Sequence, residues 1–395
     1  MLNESSGLNE VPVIVVAPAP VDTLRSRLRT AVEEVFFIDF ENDELPAPIT
    51  ASYTGQLTMD SVAAYERLDA LFEPLEHVPV FLMEGNRQVV RALRGRFKPA
   101  PRPVWPNVVL LVLTIVSLLY VGATTELQTL LPPSIFDLLR GWPYALGVML
   151  ILGTHELGHY FAARYHKVAV TLPYFIPMPL PGSLGTMGAF IQLREPMRNR
   201  RILLDIGAAG PLAGLIVAIP VLLIGLRTSS VLPMFTPLAD VFMLKSSIAS
   251  YGLEGNSILY AFMKIIAFGH FLPDGRYDVF INQLASAGWT GLLVTAINLI
   301  PVGQLDGGHI IYSLIGERAR ILFYPLLVIL GALSLLYQGW ILWMFLLFIL
   351  GRIYATPLDT ITMLDRPRQI VAVVALVAFV LVFMPIPIQS FVIGQ

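Results

Sequence analysis

The chain of 395 residues contains no cysteine. Disulfides, cysteine nucleophiles and cysteine metal ligands are therefore excluded, although the redox compartment is not fixed by this. Any metal must be held by His, Asp or Glu. Charge is scarce as well. Only 14% of the residues are Asp, Glu, Lys or Arg, against about 25% in a soluble domain. Mean hydropathy is correspondingly high, at +0.70, which points to lipid as the solvent for much of the chain. The net charge of −2 shows no basic excess, and nothing suggests a nucleic-acid partner. The first hundred residues have no cleavable signal pattern and no transit-like leader, so targeting is expected from an internal span.

The chain divides near residue 100. Before it, polarity is mixed and no apolar run is long enough to span a membrane. Val11 to Val16, Ile49 to Leu57 and Val78 to Met83 read as strands, and Val21 to Phe37 and Asp60 to Glu76 as helices. That order predicts a small α+β domain, with a split βαβ arrangement as one form. The basic, Pro-rich Gly95–Pro106 suits a linker meeting a membrane surface.

Hydrophobic runs then dominate. A spanning helix needs roughly 20 apolar residues. Spans are read near 105–123, 143–164, 203–226, 281–301, 321–337, 340–354 and 370–389, with 340–354 short enough to be re-entrant. The fold class is an α-helical polytopic membrane protein of about six to eight transmembrane helices. With seven spans, the Lys and Arg clusters around Arg96, Arg198, Arg318 and Arg366 all fall on one side, the cytoplasmic one. Val168 to Leu193 is apolar but broken by Pro173, Pro177, Pro179, Pro181, Gly182, Gly185 and Gly188. Such a segment must be buried in protein or line a cavity. Within it, Thr186 to Leu193 can pair as a strand.

The second span contains Thr154-His155-Glu156-Leu157-Gly158-His159, an H-E-x-x-H motif. Residues four apart share a helix face, so His155 and His159 can direct imidazoles at one zinc ion. Glu156 is then placed to act on a water. Polar groups at this depth are costly and signal function. Catalytic zinc usually takes a third protein ligand. Asp306 and His309, in Asn298-Leu-Ile-Pro-Val-Gly-Gln-Leu-Asp306-Gly-Gly-His309, are the candidates, and spacing does not choose between them. Gly210 and Gly214 read as helix-packing residues. Asp205 reads as satisfying a helix N-terminus.

HELGH, NLIPVGQLDGG and the intervening Gly207-Ala-Ala-Gly-Pro211-Leu-Ala-Gly214 resemble, in that order, the motifs of the site-2 protease family of intramembrane zinc metalloproteases. The resemblance covers about 143–317. The amino-terminal domain looks more loosely like that of the bacterial and plastid branch. The resemblance implies His155, His159 and Asp306 as ligands of one zinc ion, Glu156 as catalytic acid/base, and Asn298 as a helper near the scissile carbonyl. Capping a broken helix is an equal role for Asn298. The resemblance also implies that Thr186 to Leu193 receives extended substrate.

The expected domains are thus a soluble cytoplasmic α+β domain with linker at 1–100 and a membrane metalloprotease domain at 101–395. Expected partners are single-span membrane proteins and the bilayer, with a bacterial cytoplasmic membrane as the expected location. A proteolytically silent membrane scaffold is the alternative, but a scaffold has no need of Glu156.

Overall fold

A computed structural model describes residues 21–392, apart from 43–44, 128, 130, 133, 181, 234–249 and 275. The strand expected at Val11 to Val16 lies outside the described residues. The chain divides into two compact units between Arg96 and Phe97.

The first unit runs α1 (Val21–Glu33), β1 (Phe36–Asn42), β2 (Ile49–Leu57), α2 (Ser61–Phe72), β3 (His77–Glu84) and β4 (Arg87–Arg94). The strands form one sheet in the order β1-β2-β4-β3, and every neighbouring pair is antiparallel. Strands β2 and β3 both run antiparallel to β4, which lies between them, so they are parallel to each other and joined through α2: this is the expected split βαβ arrangement, with β1 added at the β2 edge. Helix α1 is shorter than expected because Phe36 and Phe37 begin a strand, where aromatic side chains fit better. Asp60 fixes the start of α2 by accepting from the Val62 and Ala63 N–H groups at 3.0 and 3.3 Å. Leu28, Val32, Leu68 and Phe72 of the helices pack into the same buried core as Tyr53, Phe81 and Val90 of the strands.

The second unit is mostly helical. Its helices are α3 (Trp105–Leu127), α4 (Trp142–Tyr165), α5 (Arg200–Arg227), α6 (Ile258–Phe268), α7 (Gln283–Asn298), α8 (Asp306–Ile315), α9 (Phe323–Ser334), α10 (Gly339–Leu350) and α11 (Arg366–Val382). By length and composition, α3 and α5 are long and apolar enough to cross a membrane. Three two-stranded sheets flank the helices. They pair β5 (Tyr174–Met178) with β6 (Gly185–Phe190), β7 (Ser230–Pro233) with β9 (Tyr277–Phe280), and β8 (Ser250–Glu254) with β10 (Ile388–Val392).

Helix α5 is central, packed on α4 and α7. Ile151, Ala218, Leu222, Trp289 and Leu292 form the core between them. Small residues bring the backbones together: a Cβ on Gly225 would lie 2.2 Å from the Ala285 nitrogen. Asn199 caps α5, its Oδ1 accepting from the Ile202 N–H at 3.1 Å. Asp205, expected to serve this N-terminus, lies a turn beyond the unpaired N–H groups. Its carboxylate instead accepts from Arg368 on α11, with Nε–Oδ1 2.9 Å and Nη2–Oδ2 2.7 Å. His166, at the C-cap of α4, sits 2.9 Å from the same carboxylate. One carboxylate therefore ties together the ends of three helices.

Candidate metal centre

His155 and His159 lie one turn apart on α4, and both are buried. Asp306 comes from another part of the chain. Helix α7 ends at Asn298, the chain turns through 299–305, and α8 begins with Asp306. Glycines permit this abrupt restart. Gly303 has a φ of +59°, which few other residues adopt. A Cβ on Gly307 would lie 2.0 Å from the Leu299 carbonyl oxygen. The turn thus packs against the first turn of α8 and carries Asp306 to the histidines.

The three side chains converge. Asp306 Oδ2 is 3.2 Å from His155 Nε2, and Oδ1 is 3.3 Å from His159 Nε2. The two Nε2 atoms are 3.2 Å apart. One ligand atom from each of the three residues lies within 4.8 Å of the others. His309, the rival third ligand, is not part of this group. Its Cβ faces Gly207, and its Nδ1 has no hydrogen-bond partner among the described residues.

The tautomer of His159 follows from its contact. Its Nδ1 is 2.7 Å from the Ile206 carbonyl oxygen. A carbonyl can only accept, so Nδ1 carries the proton and Nε2 keeps its lone pair. Among the described residues, no lysine or arginine pairs with the three side chains. A buried set of lone pairs and a carboxylate needs a compensating positive charge. Two imidazole nitrogens and a carboxylate oxygen form a donor set suited to a three-ligand zinc site.

Glu156 is also buried, with Oε1 3.9 Å from His155 Nε2. Asn298 Nδ2 is 3.3 Å from His155 Nε2, which puts its amide at the edge of the centre. At the C-terminus of α7, Leu299 is the capping residue.

Helix α5 supplies contacts that motif reading assigned only to packing. A Cβ at position 210 would lie 2.1 Å from His159 Nε2, and one at 214 would lie 3.1 Å from His155 Cβ. Gly207, Gly210 and Gly214 share a face through their three- and four-residue spacing. That face gives the imidazoles their room. The Ile206 carbonyl was not foreseen, since a backbone acceptor leaves no sequence signal.

The strand expected over Thr186 to Leu193 appears as β6, Gly185–Phe190, followed by an isolated bridge between Leu193 and Val170. Strand β6 pairs with β5 along one edge, and its other edge has no strand partner among the described residues. Helices α3 and α4 hold the hairpin. Asn107 Nδ2 donates to the Leu172 and Pro173 carbonyls at 2.8 and 3.0 Å. Ser117 Oγ donates to the Gly185 carbonyl at 2.6 Å, and Tyr144 Oη to the Leu184 carbonyl at 2.9 Å.

Residues 143–325, which contain the whole centre, match peptidase family M50. "Probable zinc metalloprotease EGY2, chloroplastic" of Arabidopsis thaliana is 32% identical over 249 residues, covering 62% of this chain and 42% of the relative. "Probable zinc metalloprotease EGY1, chloroplastic" of the same plant is 32% identical over 247 residues, covering 57% of the chain and 43% of the relative. The EGY2 protein of Oryza sativa subsp. indica is 33% identical over 254 residues, covering 64% and 44%. The chain thus aligns with less than half the length of these relatives. No solved structure matches it.

Proposed function

We propose that the chain is a membrane-embedded zinc metalloendopeptidase that hydrolyses peptide bonds in or near transmembrane segments of single-span membrane proteins. The observation that carries this reading is the buried convergence of His155, His159 and Asp306 beside Glu156. His155 and His159 would hold zinc through Nε2 and Asp306 through a carboxylate oxygen. Bound zinc supplies a Lewis acid that activates water and polarises a carbonyl. The Ile206 carbonyl keeps the His159 proton on Nδ1 and its lone pair toward the centre. Glu156 takes the proton of the attacking water and delivers it to the departing amine nitrogen. The Asn298 amide donates to the oxyanion that forms on the scissile carbonyl.

A helical substrate must unwind before its peptide groups can be attacked, and the freed groups need partners. The open edge of β6 offers them by strand addition.

The exposed apolar faces of α3, α9, α10 and α11 support immersion in lipid. Val108, Val112, Val328, Phe345, Val373 and Val377 are all more than half exposed, and such faces on a soluble protein would invite association. We read α3, α4, α5, α7 and α11 as crossings. Helices α9 and α10 have 12 residues each. At about 18 Å apiece they fall short of a hydrocarbon core of about 30 Å and form a re-entrant hairpin. The seven apolar segments of the sequence thus become five crossings and one hairpin. The ends of α4, α5 and α11 near Asp205 lie on the side with the basic loops. The basic linker puts the N-terminal soluble domain on that side as well. The chloroplastic designations of the relatives favour a plastid membrane over the bacterial one expected from the sequence.

The test compares wild type and Glu156→Gln on a tagged single-span substrate, with zinc content measured in both. The expected result is retained zinc and lost cleavage. Full activity of the variant would refute the mechanism, and absence of zinc from both proteins would favour the scaffold reading.

A further inference from the structure

A half-open cavity of about 150 Å³ lies between the start of α3, α4 and the segment leading into β5. Arg102, Arg194, Tyr160, Tyr174, Asn107 and Thr171 contribute its polar wall. Its charge is one-sided: two arginines line it and no Asp or Glu does. Arg102 gives one N–H to Gln192 Oε1 at 2.7 Å, leaving the rest of its fork available. The Arg194 backbone N–H is bound to the Ala169 carbonyl. Its half-buried guanidinium has no partner among the described residues. The neighbouring acid, Glu195, forms no ion pair with it among the described residues and does not line the cavity; its carboxylate accepts the Ala169 N–H at 2.6 Å. The Asn107 amide N–H groups are spent on the Leu172 and Pro173 carbonyls. The cavity is thus built with cationic donors in excess.

The surroundings are apolar. Val104 lines the cavity, and Val108 and Val112 continue its row along α3, all three exposed. Trp105 is 67% exposed beside them, and an amphipathic ring is favoured at a membrane interface. The Tyr174 ring, in the cavity wall, stacks on Phe190 with centroids 5.4 Å apart. An anion with an attached apolar tail fits this combination. A free ion would use the arginines and leave the valine row bare.

We propose that this cavity binds the phosphate or sulfonate headgroup of an anionic lipid, with an acyl chain along the Val104–Val108–Val112 row. Arg102 and Arg194 hold the oxyanion by charge-assisted hydrogen bonds. A bound lipid would brace α3 against the β5–β6 hairpin. The assignment rests on the membrane-embedded reading above but not on peptidase chemistry.

The experiment uses the full chain in detergent, delipidated and then exposed to phosphatidylglycerol or phosphatidylcholine, with bound lipid counted by native mass spectrometry. Wild type should retain phosphatidylglycerol preferentially. Arg102→Ala/Arg194→Ala should retain at least about tenfold less, the loss expected from one or two charge-assisted bonds. Arg102→Lys/Arg194→Lys, which keeps the charge, should recover part of the binding. Arg318→Ala/Arg320→Ala should behave as wild type. Equal retention by wild type and the alanine pair, or no preference between the lipids, would overturn the proposal. Displacement of the lipid by millimolar inorganic phosphate would reassign the cavity to a free anion. A chain that stays soluble without detergent would instead break the membrane reading, a separate outcome.

Discussion

Gly210→Ala isolates the geometry of the centre from the stability of the fold. Gly210 lies inside α5, where alanine is the better helix former by up to about 1 kcal/mol. The helix itself therefore gains. The added Cβ, however, would lie 2.1 Å from His159 Nε2, 2.4 Å from Cδ2 and 2.5 Å from Cε1. Three ring atoms are struck together, so a turn of the ring about its own bond cannot clear the methyl group. The imidazole must swing away by more than about 1 Å to reach ordinary contact, whereas metal–ligand distances tolerate only about 0.2 Å. The same movement breaks the 2.7 Å contact of Nδ1 with the Ile206 carbonyl. Loss of such an orienting bond alone costs about 10- to 100-fold in metal affinity or activity. Zinc per chain should therefore fall by at least about tenfold while the chain still folds in detergent. Gly214→Ala is the graded comparison. Its Cβ would meet His155 Cβ at 3.1 Å and Nδ1 at 3.3 Å, which a few tenths of an ångström relieve, so most of the zinc should stay. Gly153→Ala, with nothing within 4 Å of the new Cβ, should keep all of it. Full zinc occupancy and cleavage in Gly210→Ala would refute the placement of His159 against α5.

Three further outcomes are expected. Ala189→Pro, in β6, should impair cleavage of a membrane substrate while leaving zinc in place; unchanged turnover would remove β6 as the strand that receives substrate. Lys264 is fully buried, with Nζ 3.4 Å from Asp278 and 3.6 Å from Glu254, so Lys264→Met strands two carboxylates and should cost about 3–5 kcal/mol. An unchanged unfolding temperature would contradict that, and neutralising both acids alongside it should restore part of the loss. In the N-terminal unit, burial holds the His77 imidazole below its ordinary pKa, consistent with Nδ1 donating to the Leu75 carbonyl and Nε2 accepting from Thr50. The unfolded chain then binds more protons between that lowered value and about 6.5, so stability rises with pH across this window and is level above it. Hydrogen exchange of β2 and β3 amides, corrected for intrinsic rates, should show this slope, and His77→Gln should remove it.

Legibility in the sequence followed how local each cause was. The bounds of β2 could be read directly because its alternation lies within nine residues. The H-E-x-x-H helix was equally plain, since one turn of helix brings its two histidines together. Strand β4 was missed because Arg87, Arg91 and Arg94 interrupt the buried Val89, Val90 and Ala92 and hide the pattern. Asp205 was misread because its partners, Arg368 and His166, are distant in sequence and a helix N-terminus was the nearest candidate. The grouping of Asp306, rather than His309, with His155 and His159 depends on the turn at 299–305, which no spacing rule specifies.

Helix α5 shows why the centre depends on more than its three converging side chains. Along one face it offers the Ile206 carbonyl and then the hollows at Gly207, Gly210 and Gly214, which receive His309, His159 and His155. The register of this face against α4 must hold within a fraction of an ångström, because a carbonyl and a hollow serve the same imidazole. A sliding helix would spoil both at once. Asp205 precedes Ile206 by one residue and is gripped by Arg368 of α11 and His166 at the end of α4. The ion pair is thus set where it can fix the register at the residue that orients His159. Hydrophobic packing is non-directional and does not select one register among close alternatives. A forked, charge-assisted contact does. In this fold the apolar residues assemble α4, α5 and α11, and the polar contacts at their shared end set how α5 meets the histidines.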